Sequence, residues 1–224
     1  MKIKQLFVSL ALTLSLLGTA YASDREESIS RAQKAGRVFK EVMNTPEGIP
    51  SGLLNTAKCI AVIPGAKKIA FVVGVSEGKG VATCRNEAGS WSAPLFIALK
   101  GGSFGWQIGG SSTDLVLLFM NDRALNSLLT DKFKLGADAS IAAGPVGRDA
   151  AADTDAAMSA EILSYSRSKG VFIGVSLTGA VVEEDVTGNE SMYGDVNRHE
   201  ILKGRVPAPA SADVLLHELE AQTK

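Results

Sequence analysis

Apolar residues recur first at helical spacing, then in short alternating or unbroken runs, and at helical spacing again near the end. Between 23 and 44, Ile29, Ala32, Gly36, Phe39 and Met43 follow one another at steps of three and four, which makes a single apolar stripe on a helix. Ser23 with Glu26 three residues later has the form of a capping box and sets the expected helix start. Arg31, Lys34, Arg37 and Lys40 wind around the other face, interleaved with Glu26, Glu27 and Glu41. That mixture predicts a helix packed on a core with a solvated back, since a membrane-surface helix normally has a cleaner basic face.

Pro46-Glu47-Gly48-Ile49-Pro50 breaks this helix, and a short helical turn is expected near Leu53–Thr56. The texture then becomes β-rich. Strands are predicted at Cys59–Ile63, Ile69–Val75, Gly80–Arg85, Pro94–Leu99, Phe104–Gly109 and Leu115–Met120. A helix over Asp122–Lys132 turns Leu125, Leu128 and Leu129 inward. Further strands follow at Ala139–Ala143, Ile162–Arg167, Val171–Ser176 and Gly179–Glu184, and a helix capped by Ser211 spans Ala212–Gln222. Gly74, Gly80, Gly105, Gly109, Gly174 and Gly179 fall inside or beside strands, where glycine is tolerated if the sheet bends sharply or backbones approach closely. The expected fold is α+β: a Gly-rich, strongly bent antiparallel sheet or small barrel flanked by N-terminal, middle and C-terminal helices.

The first 22 residues change the picture of where the protein acts. Lys2 and Lys4 precede an apolar run from Leu6 to Leu17, and Ala20-Tyr21-Ala22 gives a small-x-small exit. This is the three-part pattern of a secretory signal, expected to be cleaved after Ala22. Twelve helical residues rise only ~18 Å against a bilayer core of ~30 Å, which is too short for a membrane span. The expected organisation is a leader at 1–22 and one domain at 23–224, periplasmic or secreted. The whole chain has a formal net charge of −1, so it has no global field to attract nucleic acid. Cys59 and Cys84 are the only cysteines, and an even count in an exported chain favours a disulfide. Closing that 25-residue loop would remove ~3–4 kcal/mol of chain entropy from the unfolded state.

Candidate chemistry is sparse. Gly74-Val75-Ser76-Glu77-Gly78 and Gly101-Gly102-Ser103-Phe104-Gly105 match Gly-x-Ser-x-Gly, with His199 and His217 as possible bases. Neither serine has the strand–turn–helix context that an exposed nucleophile needs, so a serine hydrolase is a remote alternative. Glu183-Glu184-Asp185 with Glu190 lacks the order of a calcium loop and reads as a solvated strand end leading into a loop. No cofactor or metal is implied. Gly144-Pro145 and Gly147 would form a tight turn aiming Arg148, while Arg167 and Lys169 alternate on one strand face. Guanidinium suits a bidentate grip on phosphate; an ion pair between Arg148 and an internal carboxylate such as Asp138 is the equal alternative.

These segments also hold a resemblance. Ala61-Val62-Ile63-Pro64, Gly78-Lys79-Gly80-Val81, Trp91-Ser92-Ala93-Pro94, Gly102-Ser103-Phe104-Gly105-Trp106-Gln107-Ile108-Gly109, Leu135-Gly136-Ala137-Asp138, Gly144-Pro145-Val146-Gly147-Arg148 and Ser168-Lys169-Gly170-Val171-Phe172 occur in the order seen in the SYLF domain family. The chain resembles its small bacterial exported branch over about residues 30 to 205, with Trp106 as a departure. The resemblance implies a mixed α/β lipid-binding domain with no known catalytic role, whose eukaryotic relatives bind phosphoinositides and take part in actin organisation. What would transfer to an exported protein is affinity for anionic phospholipid. The expected function is therefore a non-enzymatic lipid-binding protein of the bacterial envelope. Arg148, Arg167 and Lys169 are the head-group candidates, with Arg31, Lys34 and Arg37 as a second set. The alternative is a structural or protein-interaction module of the envelope, with a protein partner and no lipid specificity.

Overall fold

The computed structural model describes residues 2–46, 48–69, 75–101, 112–146, 159–168, 170–172 and 177–223, with side chains from 22 onward except 68, 69, 75 and 76. Helix α1 runs from Lys2 to Met43 without a break. Ser23 therefore lies inside the helix and does not cap it. With the preceding segment present, the amides at this point already have helical partners. Of the predicted stripe, Ala32, Gly36, Phe39 and Met43 are buried along one side of α1 and Ile29 is half-buried, with Ala35 and Val42 buried beside them. Helix α2 (Ser51–Thr56) follows the proline break.

Nine strands are described: β1 (Cys59–Ile69), β2 (Val75–Cys84), β3 (Leu95–Lys100), β4 (Ser112–Phe119), β5 (Lys132–Lys134), β6 (Ile141–Ala143), β7 (Ile162–Ser168), β8 (Val171–Phe172) and β9 (Val181–Glu184). They form one sheet in the order β5–β9–β3–β2–β1–β4–β7–β6, with β8 beside β7. Its two outermost strands, β5 and β6, are joined by residues 135–140 alone. Eight strands laid flat would span ~34 Å. The seven steps from Lys134 to Ile141 reach at most ~25 Å even when fully extended, and a tight turn with a Leu135–Ala139 bridge shortens them further. The sheet is strongly curled, as its glycines predict. One pair departs from the expected antiparallel pattern. Strands β6 and β7 run parallel, pairing Ile141 with Ile162 and Ala143 with Ser164.

Curling also explains a miscounted strand. Pro64-Gly65 reads as a break in the sequence, yet β1 passes through it by a bulge: its pairing with β2 shifts between Val62 and Lys67. On β2, opposite this bulge, a Cβ on Gly80 would lie 2.3 Å from the Val62 carbonyl oxygen, so only glycine lets the two backbones meet. The expected strand at Ile69–Val75 is thus the end of β1 and the start of β2, with 70–74 outside the described residues. The expected strand at Phe104–Gly109 also lies outside them, as do residues 173–176 of the strand expected at Val171–Ser176.

Both faces of the sheet are buried. Alternate residues Cys59, Ala61, Ile63, Leu95, Ile97, Leu115, Leu117 and Phe119 point inward into one apolar cluster, joined by Phe133, Leu135 and Val182. Their neighbours Ile60, Val62, Phe96, Val116, Leu118 and Leu163 point outward beneath α1 and the C-terminal helix. Cys59 and Cys84 face each other across β1 and β2 and are joined by a disulfide within the inner cluster. Helix α3 spans Asp122–Leu128, capped by the Asn121 side chain; its expected last turn is instead turn and strand β5. Helices α4 (Val186–Tyr193) and α5 (Arg198–Leu202) are absent from the sequence reading, and α6 covers Asp213–Gln222. Ser211 sits in a 3-10 turn ahead of α6 with its hydroxyl buried, and makes no cap bond. No helix among the described residues is long and apolar enough to cross a membrane.

Candidate functional site

Of the six cations that the sequence offers for head-group contact, Arg148 and Lys169 lie outside the described residues. The other four divide according to what α1 packs against. Arg31 is 7% exposed. Its guanidinium donates to Asp185 Oδ2 at 2.6 Å and to Glu27 Oε1 at 2.7 Å, and lies 5.5 Å from the Phe96 ring centroid. Lys79 Nζ joins from β2, 3.3 Å from Glu27 and 3.5 Å from Asp185. Burial by itself would raise the Asp185 pKa. The Arg31 hydrogen bond and charge, the Lys79 charge and the Gly188 amide outweigh that and hold the carboxyl below its ordinary value. The Arg31 hydrogen bond likewise lowers Glu27 against a smaller burial penalty, with Lys79 assisting.

Asp185 reaches this position because it is the N-cap of α4, its side chain accepting from the Gly188 amide at 3.3 Å. The reading of Glu183-Glu184-Asp185 as a solvated strand end is corrected here. Glu183 pairs with Lys100, Glu184 with Arg198, and Asp185 with Arg31. Asn189 of α4 accepts from the Phe96 amide at 2.8 Å and donates to the Phe96 carbonyl at 3.1 Å. Ser28 and Ser191 hydroxyls lie 3.1 Å apart where α1 crosses α4.

A second clamp holds the C-terminal part of α1. Arg167 on β7 is 8% exposed and donates to Glu41 of α1 at 2.5 Å and to Asp114 of β4 at 3.3 Å. Asp114 also accepts from the Gly65 amide at the β1 bulge, at 2.9 Å. Arg31 and Arg167 thus tie the helix to the sheet, a role that neither has in the sequence reading. Lys34 and Arg37 lie between the clamps on the solvent side. Both are exposed, one turn apart, and have no ion pair among the described residues.

The remaining candidates are dispersed. Ser103 and the Ser76 side chain lie outside the described residues. His199 Nδ1 is 2.9 Å from Asn197 Oδ1, and His217 is exposed on α6. Asp138, the carboxylate considered for Arg148, is exposed and accepts from the Lys134 amide at 2.7 Å. Among the described residues no three His, Cys, Asp or Glu side chains converge on a point that would hold a metal ion. Asp185, the more distant of the two acidic partners of Arg31, sits 154 positions away in sequence. Only the Asp185-x-x-Gly188 capping pattern was available locally to hint at a helix there.

Comparison with known proteins bears on what this arrangement serves. Residues 100–222 match the family model described as Ysc84, Las17-binding protein actin regulator. An SH3 domain-containing protein of Schizosaccharomyces pombe is 36% identical over 203 residues, covering 86% of this chain and 47% of that protein. Protein YSC84 of Saccharomyces cerevisiae is 35% identical, over 86% of this chain and 43% of its own length. Human SH3 domain-containing YSC84-like protein 1 is 32% identical, over 87% of this chain and 59% of its own length. The chain spans about half the length of the curated relatives it matches.

Proposed function

The chain belongs to the Ysc84, or SYLF-domain, family of Las17-binding actin regulators, and from that premise we propose that it is a non-enzymatic docking module that adheres to anionic phospholipid surfaces through the outward side of α1. The observation behind this reading is the division of the helix's cations. Arg31 is consumed by a buried clamp, whereas Lys34 and Arg37 are presented to solvent without an internal partner among the described residues. A cation near an anionic bilayer contributes ~1 kcal/mol, so two of them favour the bound state by ~2 kcal/mol, or about 30-fold. Adhesion of this size is weak, reversible and sensitive to salt. The protein acts outside the cytoplasm in this reading. The basic-apolar-small order of residues 1–22 supports that location, and so does the Cys59–Cys84 disulfide, a bond that persists in oxidising compartments.

Co-sedimentation with vesicles tests the proposal. The protein is expected to partition onto phosphatidylglycerol vesicles, to ignore phosphatidylcholine vesicles, and to be released as salt is raised. Equal recovery on both lipids would overturn it. A second reading, a protein-docking module without lipid specificity, is favoured by the relatives named for binding Las17. It would be supported by adhesion that persists at high salt and requires an added protein.

A further inference from the structure

Strand ends collect at one end of the curled sheet. Strand β1 stops at Ile69, and β2 starts opposite it at Val75. The pairs Lys67–Ser112, Glu77–Lys100 and Asp114–Arg167 bring the start of β4 and the ends of β3 and β7 to the same level. Strand β8 starts there too, with Val171 opposite Ser168, and β6, parallel to β7, runs toward it. Of the four large apolar side chains exposed among the described residues, two stand at this end. Val146, 46% exposed, follows β6 by three residues, and Val171, 61% exposed, opens β8.

The chemistry of the chain differs between the two ends of the sheet. Residues 70–74 join β1 to β2, residues 102–111 lie between β3 and β4, and neither stretch contains a charged residue. The connections that leave β2 and β4 at the other end contain Arg85 and Glu87, and Asp122, Arg123 and Asp131. Bringing the first end against lipid therefore strips water from no charge on its two connections. Among the described side chains beside them, Lys67 stands opposite Glu77 and Lys100 pairs with Glu183, so what this end offers is mainly apolar contact. The clamps hold α1 along the same end. Lys79 is four residues past the start of β2, Asp114 two past the start of β4, and Arg167 one before the end of β7. The stretch of α1 between the clamps, which carries Lys34 and Arg37, thus runs beside the strand ends.

We propose that this end of the sheet is the apolar half of the adhering surface. Val146 and Val171 enter the boundary between head groups and acyl chains of the bilayer whose anionic head groups meet Lys34 and Arg37. The inference rests on the adhesion proposed above and adds an attraction that salt does not screen. Two partly exposed valines contribute about tenfold in partitioning, too little to hold the protein once salt has screened the cations. A lipid interface is the occupant that fits. The valines stand on separate strand ends, and a fluid interface accepts apolar side chains one at a time, whereas a protein partner needs a contiguous area of ~800 Å² per side.

Co-sedimentation of the full chain with phosphatidylglycerol vesicles, joined to a fluorescent reporter, tests it. Val146→Ser combined with Val171→Ser is expected to lose about tenfold in partitioning at low salt. Both side chains are exposed, so the urea midpoint should stay where it is. A nitrobenzoxadiazole group on the Val171→Cys variant is expected to shift its emission to the blue on these vesicles and to be quenched by phospholipids brominated on their acyl chains. The same group on Glu87→Cys, exposed at the other end of the sheet, should do neither. The inference alone is overturned if the wild type adheres while the Val171 reporter stays in water, if both reporters respond alike, or if the double serine variant partitions like the wild type. Failure of the wild type to adhere at all would overturn the adhesion itself and this inference with it.

Discussion

The two faces of the curled sheet are both dry, but they are held by different forces. The inner face is predominantly apolar, with Ile63, Leu99, Leu117 and Phe119 meeting across the curl beside the small buried side chains of Ser164 and Ser166, and a disulfide bridging its first hairpin. The outer face mixes apolar contacts from Phe39, Phe96 and Leu215 with buried charge, because α1 must be fixed in position as well as attracted. Hydrophobic burial has no direction, so it does not set where along a sheet a helix stops. Two ion pairs that engage α1 at separate points, Arg31 and Glu41, do. The difference teaches that a cation on an amphipathic helix cannot be assigned to a ligand by spacing alone. Arg31, Lys34 and Arg37 share a pattern, and only the fold tells the clamp from the surface.

The largest test compares apolar residues on the two faces. Phe119→Ala and Phe39→Ala should each cost ~3–5 kcal/mol in urea denaturation. Hydrogen exchange should then separate them. Phe39→Ala is expected to expose amides of α1 and α6 while the strands stay protected, whereas Phe119→Ala raises exchange throughout the sheet. Identical patterns would mean that the faces unfold as one unit.

Next in size is the charge clamp. Arg31→Met leaves Asp185 buried with only Lys79 and the Gly188 amide, at an expected cost of ~3 kcal/mol at neutral pH. The pH dependence has a definite sign. The folded pKa values of Asp185 and Glu27 lie below their ordinary values, so their contribution is complete above ~5 and lost as pH falls through the folded values. The stability gap between wild type and Arg31→Met should therefore narrow on acidification in a series of denaturation curves. A gap that stays constant would show that the guanidinium matters only through packing on Phe96.

How much of this the sequence displays depends on the range of the interaction. The α1 stripe through Ala32 and Phe39 and the strands β3, β4 and β7 are local patterns, and they stand where spacing puts them. Strands β1 and β2 are misread because Pro64-Gly65 punctuates the sequence while a bulge absorbs it in the sheet. Helices α4 and α5 are too short for a periodic signal. Their caps, Asp185 and Asn197, are the legible traces. The clamps join residues more than a hundred positions apart, Arg31 to Asp185 and Arg167 to Glu41, which no local pattern encodes.

A smaller effect comes from Gly36, where α1 and α6 touch. A Cβ there would lie 2.8 Å from the Leu215 backbone nitrogen, so Gly36→Ala should push the helices apart and cost ~1–3 kcal/mol by thermal or urea denaturation. Unchanged stability would show that the α1–α6 contact yields freely and adds little to the outer face.

The smallest expected change in stability belongs to the pair on which the proposed adhesion depends. Lys34→Glu combined with Arg37→Glu touches no clamp and should alter the urea midpoint by no more than ~0.5 kcal/mol. The direct measurement is co-sedimentation of this double variant and the wild type with phosphatidylglycerol vesicles at low salt. The account predicts that the variant folds normally and loses at least ~30-fold in partitioning. Wild-type partitioning by the double variant would contradict it, and so would adhesion that disappears only with Arg31→Met.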